Sequence, residues 1–449
     1  MEQQPRLPLW FLPANMALIA AAFFLGVQLG GRRAADIPEP QRTALDLVHR
    51  EILRSHVEPH AAGALVDAAI TGMVRSLKDP YSLYVPPGDV KQYEENNTGH
   101  YEGIGAEFHP YDQALVLWFP LPQSPAEAAG LQPGDRLLAV DGHELDTRDL
   151  RDRYAERVRG AADTDVRLRV RRGEATLDIV VRRSDVQRPC VKWAHLVAPD
   201  IGYVHLTDFH PGASQLLLAA IASLQQPRPL RGLVLDLRFD GGGSLDECIQ
   251  IARMFIAKGT IVSQQRRDSE IERHEARAAD CLHPDLPLVV LVNEFSASAS
   301  EVLAGALQDH GRAAIVGVRT HGKACVNTVY TWKDLDFRLK LTTGRYRTPS
   351  GRDIERNFVT TAVDGRANGG IPPDVEAPTT KEQSDAIQLA LARSEVPARW
   401  REQFAAVAAQ YAFTVPAPPN AAEDPQLAAA VATLRRRIDA AAATVPADK

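Results

Sequence analysis

The stretch "LPLVVLVNEFSASASEVLAGALQDHGRAAIVGV", residues 286 to 318, decides the fold. Its first seven residues form an unbroken apolar run, "EVLAGALQD" (301–309) has apolar residues at helical spacing, and "AAIVGV" (313–318) is a second apolar run. Strand, helix and strand in that order predict a right-handed crossover between parallel strands of an α/β protein. The loops that follow the two strands then emerge at one edge of the sheet. Lengths agree, since a helix of about eleven residues climbs about 16 Å and six strand residues return about 20 Å. The segment "RTHGKACVN" (319–327) therefore comes back beside Ser296, Ser298 and Ser300, which open the helix.

One more strand reaches that edge. "GLVLDLR" (232–238) runs into "FDGGG" and then into a helix opened by a capping box, Ser244 with Glu247 three residues on. Three successive glycines after a strand let backbone N–H groups approach a ligand closely. No GxxxxGK[ST] or GxGxxG pattern accompanies them, so an oxyanion fits better than a phosphate. Ser298 stands three residues before Glu301 and suits a second capping box as well as it suits a nucleophile. Taken alone, Lys323 reads equally well as a surface cation. Their conjunction with the glycine loop favours chemistry: a nucleophile at a helix start gains from the dipole and the free N–H groups, which stabilise a negative tetrahedral intermediate. Lysine in water holds its proton to a pKa of about 10.4 and becomes a base only where its surroundings are apolar. Lys323 is flanked by Gly322, Ala324, Cys325 and Val326.

The rest of the 449 residues falls into pieces around this core. Residues 36–95 carry amphipathic helical spacing in "TALDLVHREIL" and "ALVDAAITGMVRSL", and residues 96–186 change to short strands and glycine turns. "DVRLRVRRGEATLDIVVRR" is a hairpin about Gly173. Strands and helices alternate over 187–380, and 381–449 is Ala-rich, broken by "TVPAPPNAAEDP", which suggests a peripheral helical appendage. Residues 1–35 contain the uncharged run Leu7–Gly31, long enough to cross a bilayer and followed at once by Arg32 and Arg33, which reads as an uncleaved anchor. Arg6 alone precedes the span, so the arginine balance leans toward a cytoplasmic body. A net charge of −6 offers no basic footprint, and no nucleic-acid partner is expected. The four cysteines (Cys190, Cys248, Cys281, Cys325) lack metal-ligand spacing, so no metal site is expected, while one or two disulfides stay open.

These residues resemble the carboxyl-terminal processing proteases, the tail-specific serine proteases with a Ser-Lys dyad. The resemblance runs in family order through "DPYSLYVPP" (79–87), "YEGIGAEF" (101–108), "PAEAAGLQPGDRLLAVDGHEL" (125–145), "IGYVHLTDF" (201–209), "GLVLDLRFDGGGSLDE" (232–247), "SASASEVLAGALQDHGRAAIVGVRTHGKACVNTV" (296–329) and "LKLTTGRYRTPSGRDIE" (339–355). It implies an α/β fold with a Clp-protease/crotonase-like core of parallel strands and crossover helices over 187–380. An inserted PDZ domain over 96–186 and helical N- and C-terminal regions complete it. It implies Ser298 as nucleophile, Lys323 as general base, and the N–H groups of Gly243 and Ala299 as oxyanion hole. The residue that orients the lysine is a glutamine in the family and Asn327 here, one methylene shorter. The family's "FGKG" is "HGKA" here, and His321 makes a Ser-His pair imaginable, with no matching aspartate.

Gly103, Ile104 and Gly105 resemble the carboxylate-binding loop of PDZ domains, where backbone N–H groups grip a chain terminus while the peptide adds as a strand. The implied partners are proteins or peptides with free C-terminal tails, and the membrane through the N-terminal segment. No cofactor is implied. A copy-to-copy contact through the C-terminal region stays open. The resemblance also implies an extracytoplasmic, periplasmic body, against the arginine balance. Two other readings stand beside it: a membrane-tethered PDZ adaptor with weak or no proteolysis, which the Asn327 and His321 departures keep alive, and a hydrolase of small acyl substrates.

Overall fold

The computed structural model describes residues 36–111, 114–145, 156–226, 228–356, 369–411 and 415–444. The apolar run 7–31, and with it the anchor, lies outside them. Among the described residues no helix is long and apolar enough to cross a membrane. The chain forms two compact units that meet in sequence between Tyr84 and Val85. The first holds the helices Glu39–Ser55 and Ala62–Arg75, where the apolar spacing predicts them.

The second unit is built on a six-stranded sheet ordered Val191–Ala198, Ile201–Leu206, Gly232–Asp236, Leu288–Val292, Ala313–Gly317 and Val375–Glu376. Only the first pair is antiparallel. The central strands are buried at every position because both faces are covered. Alternation divides their side chains: Leu233, Leu235, Leu288, Val290, Val292 and Ile315 meet the crossover helices Ala213–Leu224, Leu245–Phe255 and Ala299–Asp309. Val234, Val289, Leu291, Ala314 and Val316 face the other way.

What covers that second face corrects the sequence reading of the tail. The helix Pro425–Thr444, expected as a peripheral appendage, lays Leu427, Ala430, Val431, Leu434 and Ile438 on the sheet, joined by Ile387 and Leu391 of helix Lys381–Ala392. The residues recur at three- and four-residue intervals, so the stripe was present in the sequence while its destination was not. Gly232 fits this packing, since a Cβ there would stand 3.0 Å from Leu434 and Ile438 side-chain atoms. The tail also closes a buried ionic chain: Asp424 pairs with Arg238 at 2.7 Å, Arg238 pairs with Asp236 at 2.6 Å, and the Tyr203 hydroxyl donates to Asp236 at 2.7 Å. Arg238 stands directly before the glycine loop.

His205 lies beneath this chain, 1% exposed, and burial pushes its imidazole pKa down to about 4. The unfolded chain takes up this proton below its ordinary value near 6.5, and the native protein does so only near 4. Stability is therefore expected to fall by about 3 kcal/mol as pH drops through that window. Urea unfolding at pH 7, 5 and 4 should show the slope, and His205→Gln should flatten it.

Residues 106–182 form a separate antiparallel sheet of Ala106–Tyr111, Ala114–Pro120, Arg136–Val140, Asp165–Arg172 and Ala175–Arg182. The last two are the hairpin expected about Gly173. A ladder between His100–Gly103 and Ser184–Gln187 joins the chain entering this domain to the chain leaving it, as an insertion requires. The domain also rests on the C-terminal region: Trp118 and Phe119 pack with Phe404 and Ala408 of helix Arg401–Tyr411. A third, antiparallel sheet includes Thr260–Arg266 and the hairpin Cys325–Trp332 with Leu335–Arg347.

Candidate active site

The loops after Gly232–Asp236, Leu288–Val292 and Ala313–Gly317 meet at the carboxyl edge of the parallel sheet, where open α/β sheets bind ligands. Two of the three serines stitch the first two loops together. Ser296 Oγ donates to the Leu237 carbonyl at 2.8 Å, Ser300 Oγ donates to the Asp240 carbonyl at 3.0 Å, and both serines are fully buried. The Ala297 N–H adds a bond to the same Asp240 carbonyl at 3.0 Å. Ser298, between them, is half-buried and lines a cavity of about 580 Å³. Its backbone is left-handed, φ 56°, an uncommon conformation for a residue with a side chain.

Lys323 lines the same cavity. Its segment returns to the serine turn as the crossover predicts, and Glu301 joins the two. Glu301 Oε2 accepts the Ser298 N–H at 2.9 Å and the Lys323 N–H at 2.8 Å, so the two backbones are within two hydrogen bonds of each other. Its other oxygen accepts the Gly322 N–H at 2.7 Å and the Thr320 hydroxyl at 2.6 Å. Of the capping box expected from the Ser298–Glu301 spacing, the carboxylate half is formed, while the Glu301 N–H donates to the Ser298 carbonyl at 2.9 Å. The same carboxylate thus caps the helix and anchors the lysine loop. Burial pushes the Glu301 carboxyl above its ordinary pKa, against the four groups that donate to it.

The glycine loop forms the opposite wall. A Cβ on Gly242, φ +100°, would stand 2.8 Å from Ser298 Cβ and from the Ala299 nitrogen. Only glycine permits this approach. The Gly242 N–H is taken up by Asp240 Oδ1 at 2.8 Å, while Gly241 and Gly243 line the cavity with Ala299, Gly243 being the donor that the family resemblance implies. Asp240 is completely buried, its carboxyl pushed well above the ordinary range by that burial, and its Oδ2 finds no partner. The remaining wall is mixed: Leu245, Val302, Cys325, Val326 and Val329 supply apolar surface, and Asn96, Asn97, Asp208 and Lys340 supply polar and charged groups.

Asn327 also reaches the cavity, on a strand rather than in the loop read from the sequence. It sits at a register shift of the hairpin and donates from Nδ2 to Thr342 Oγ1 at 3.1 Å. His321 is not among the described residues that line the cavity, and burial lowers its pKa. Gly103, Ile104 and Gly105 belong to the inserted domain. Gly105, φ +69°, would bring a Cβ to 2.5 Å from Ser124 Cβ, and its carbonyl accepts the Leu121 N–H at 2.9 Å. Ile104 is 2% exposed and its carbonyl accepts the Ala126 N–H at 2.8 Å. All four cysteines are free. Among the described residues no cluster of His, Cys, Asp or Glu has the arrangement of a metal site. Sequence reasoning missed Glu301 as an anchor of the lysine loop, and it missed Tyr346, which lines the cavity from strand Leu335–Arg347. Glu301 carried a signal only for capping, and Tyr346 carried none.

Three family profiles match this chain: peptidase family S41 over residues 200–377, the PDZ domain over residues 120–172, and the N-terminal domain of the activating protease CtpB over residues 39–87. A probable CtpA-like serine protease of Staphylococcus haemolyticus (strain JCSC1435) is 33% identical over 344 residues, covering 76% of this chain and 66% of that protein. The chain thus spans slightly less than two thirds of the length of this relative. A probable CtpA-like serine protease of Staphylococcus aureus (strain bovine RF122 / ET3-1) is 32% identical over 368 residues, covering 82% of this chain and 70% of that protein. Among solved structures, the photosystem II D1 C-terminal processing protease is 30% identical, covering 75% of this chain and 88% of that one at a TM-score of 0.41. With the CtpA-like relatives, a PDZ match inside the inserted domain and the S41 match over the parallel sheet that leads into Ser298, the chain belongs to peptidase family S41, the family of the CtpA-like serine proteases.

Proposed function

We propose that this protein is a serine endopeptidase that cleaves proteins near carboxyl-terminal tails held by its PDZ domain, through Ser298, Lys323 and an acyl-enzyme. The observation that carries this reading is one cavity walled by a helix-opening serine, a lysine and a glycine loop, with the serine and lysine backbones joined on Glu301. The neutral Lys323 amine takes the Ser298 hydroxyl proton while Oγ attacks the scissile carbonyl. The Gly243 and Ala299 N–H groups hold the resulting oxyanion. The protonated lysine passes its proton to the leaving amine, and the amide bond breaks. Lys323 then takes a proton from water, whose oxygen attacks the acyl ester, and returns that proton to Ser298 Oγ as the ester bond breaks and a carboxylic acid leaves. Asn327 orients the amine.

Tail selection rests on Gly103, Ile104 and Gly105, whose backbone is suited to a terminal carboxylate. The uncharged run Leu7–Gly31 supports a membrane tether, and a body outside the cytoplasm is what the family resemblance implies. The test compares a peptide with a free C-terminus against its C-terminal amide, alongside intact-mass detection of a fluorophosphonate adduct. The free peptide is expected to be cut at least about tenfold faster, as loss of a charge-assisted contact implies, with one adduct on Ser298. A protein that binds the free peptide but neither cuts it nor forms the adduct is an adaptor, and this reading is then wrong.

A further inference from the structure

We propose that Tyr346 is a positioning residue for the hydrolysis inferred above, its phenol holding the nucleophile and the base in a single frame; the proposal rests on that reading. Tyr346 is 3% exposed and comes from the far strand of the hairpin that follows the lysine. Its hydroxyl donates to the Ser298 carbonyl at 3.1 Å and also to the Lys323 carbonyl, a three-centre arrangement of one proton between two acceptors. Its own N–H donates to the Ala324 carbonyl at 2.9 Å, which fixes the tyrosine to the segment it orients.

Glu301 makes the complementary contacts. It accepts the N–H of Ser298 and the N–H of Lys323, while Tyr346 donates to the carbonyl of each. The two residues on which the chemistry depends are thus held by the same pair of partners. This matters because a general base must come within about 2.6–3.2 Å of the proton it removes, and a lysine reaches there on a long, flexible stem. A stem of that kind delivers its amine reproducibly only from a fixed backbone. A displacement of about 1 Å is enough to cost about a hundredfold in rate. Burial pushes the Tyr346 phenol well above its ordinary pKa, so it stays a donor throughout the working range.

The test is Tyr346→Phe in the full chain, which keeps the ring that packs and removes only the donor. kcat for the free-tail peptide is expected to fall about 10- to 100-fold, with KM within about twofold, because the PDZ domain is untouched and the ring that lines the cavity is kept. 4-Aminophenylalanine at 346, which restores an N–H donor of similar reach, should recover most of kcat, and a merely structural role would not follow the donor in this way. Should Tyr346→Phe fail to fold, the aminophenylalanine variant set against 4-methylphenylalanine, of similar size and without a donor, asks the same question. A wild type that cleaves, with a donorless variant of unchanged kcat, overturns the positioning role alone. A wild type that neither cleaves nor labels at Ser298 overturns the hydrolytic reading and this role together.

Discussion

Ser298→Ala and Lys323→Ala are each expected to reduce kcat for peptide cleavage by about ten-thousandfold or more, with melting temperatures close to wild type. The two side chains are half-buried on a cavity wall, whereas Ser296 and Ser300, fully buried, hold the loops in place. Removing Ser298 Oγ or the Lys323 amine therefore takes away chemistry with little packing. Because nucleophile and base act on the same proton, the double variant is expected to be no slower than either single one. Ser300→Ala should behave in the opposite way, losing stability by about 0.5–1.5 kcal/mol because the buried Asp240 carbonyl loses one of its two donors. Chromatographic assay of product at matched protein concentration, with a thermal melt of each variant, separates the two patterns. Retention of cleavage by Lys323→Ala would remove the lysine from the mechanism.

Gly242→Ala is expected to lower kcat/KM by about a hundredfold to a thousandfold, whereas Gly241→Ala, one residue earlier, is expected to be nearly silent. At Gly242 a methyl group would lie 2.7 Å from the Ala297 carbonyl oxygen and 2.8 Å from the Ala299 nitrogen, at φ +100°. Two of the three nearest atoms are backbone and cannot rotate away, so the loop or the helix start has to move. Either movement displaces the N–H groups proposed to hold the oxyanion. At Gly241 an added Cβ meets nothing within 4 Å. Parallel steady-state kinetics on the two variants decide the matter, and equal effects would mean that the loop's closeness to Ser298 has no part in the reaction.

The parallel sheet was legible because its strands are buried on both faces and so read as unbroken apolar runs, and the crossover fixed where Lys323 returns. The glycine triplet was legible for a related reason: a local conformational demand leaves a local mark. Three features left none. The strand Cys325–Trp332 is half-exposed and follows a glycine turn, so its beginning reads as loop, and Asn327 was misplaced with it. Glu301 reads as a helix cap, and its hold on Thr320, Gly322 and Lys323 exists only after the crossover has closed. Tyr346 acts through contacts to residues 48 and 23 positions away, a separation that no periodicity encodes. The helix Pro425–Thr444 is the mirror case, with a readable stripe and an unreadable target.

That helix also sets a timetable. Synthesis delivers the glycine loop, Ser298 and Lys323 long before Leu427, Leu434 and Ile438 exist to shield Val289, Leu291 and Val316 from water. Until the turns of Pro425–Thr444 leave the ribosome, one side of the central sheet lacks most of its cover, and Arg238 at the root of the glycine loop lacks Asp424 until that residue is made. A nascent chain that has not yet made Pro425–Thr444 therefore carries the proposed reacting groups on a sheet whose second face is incompletely covered.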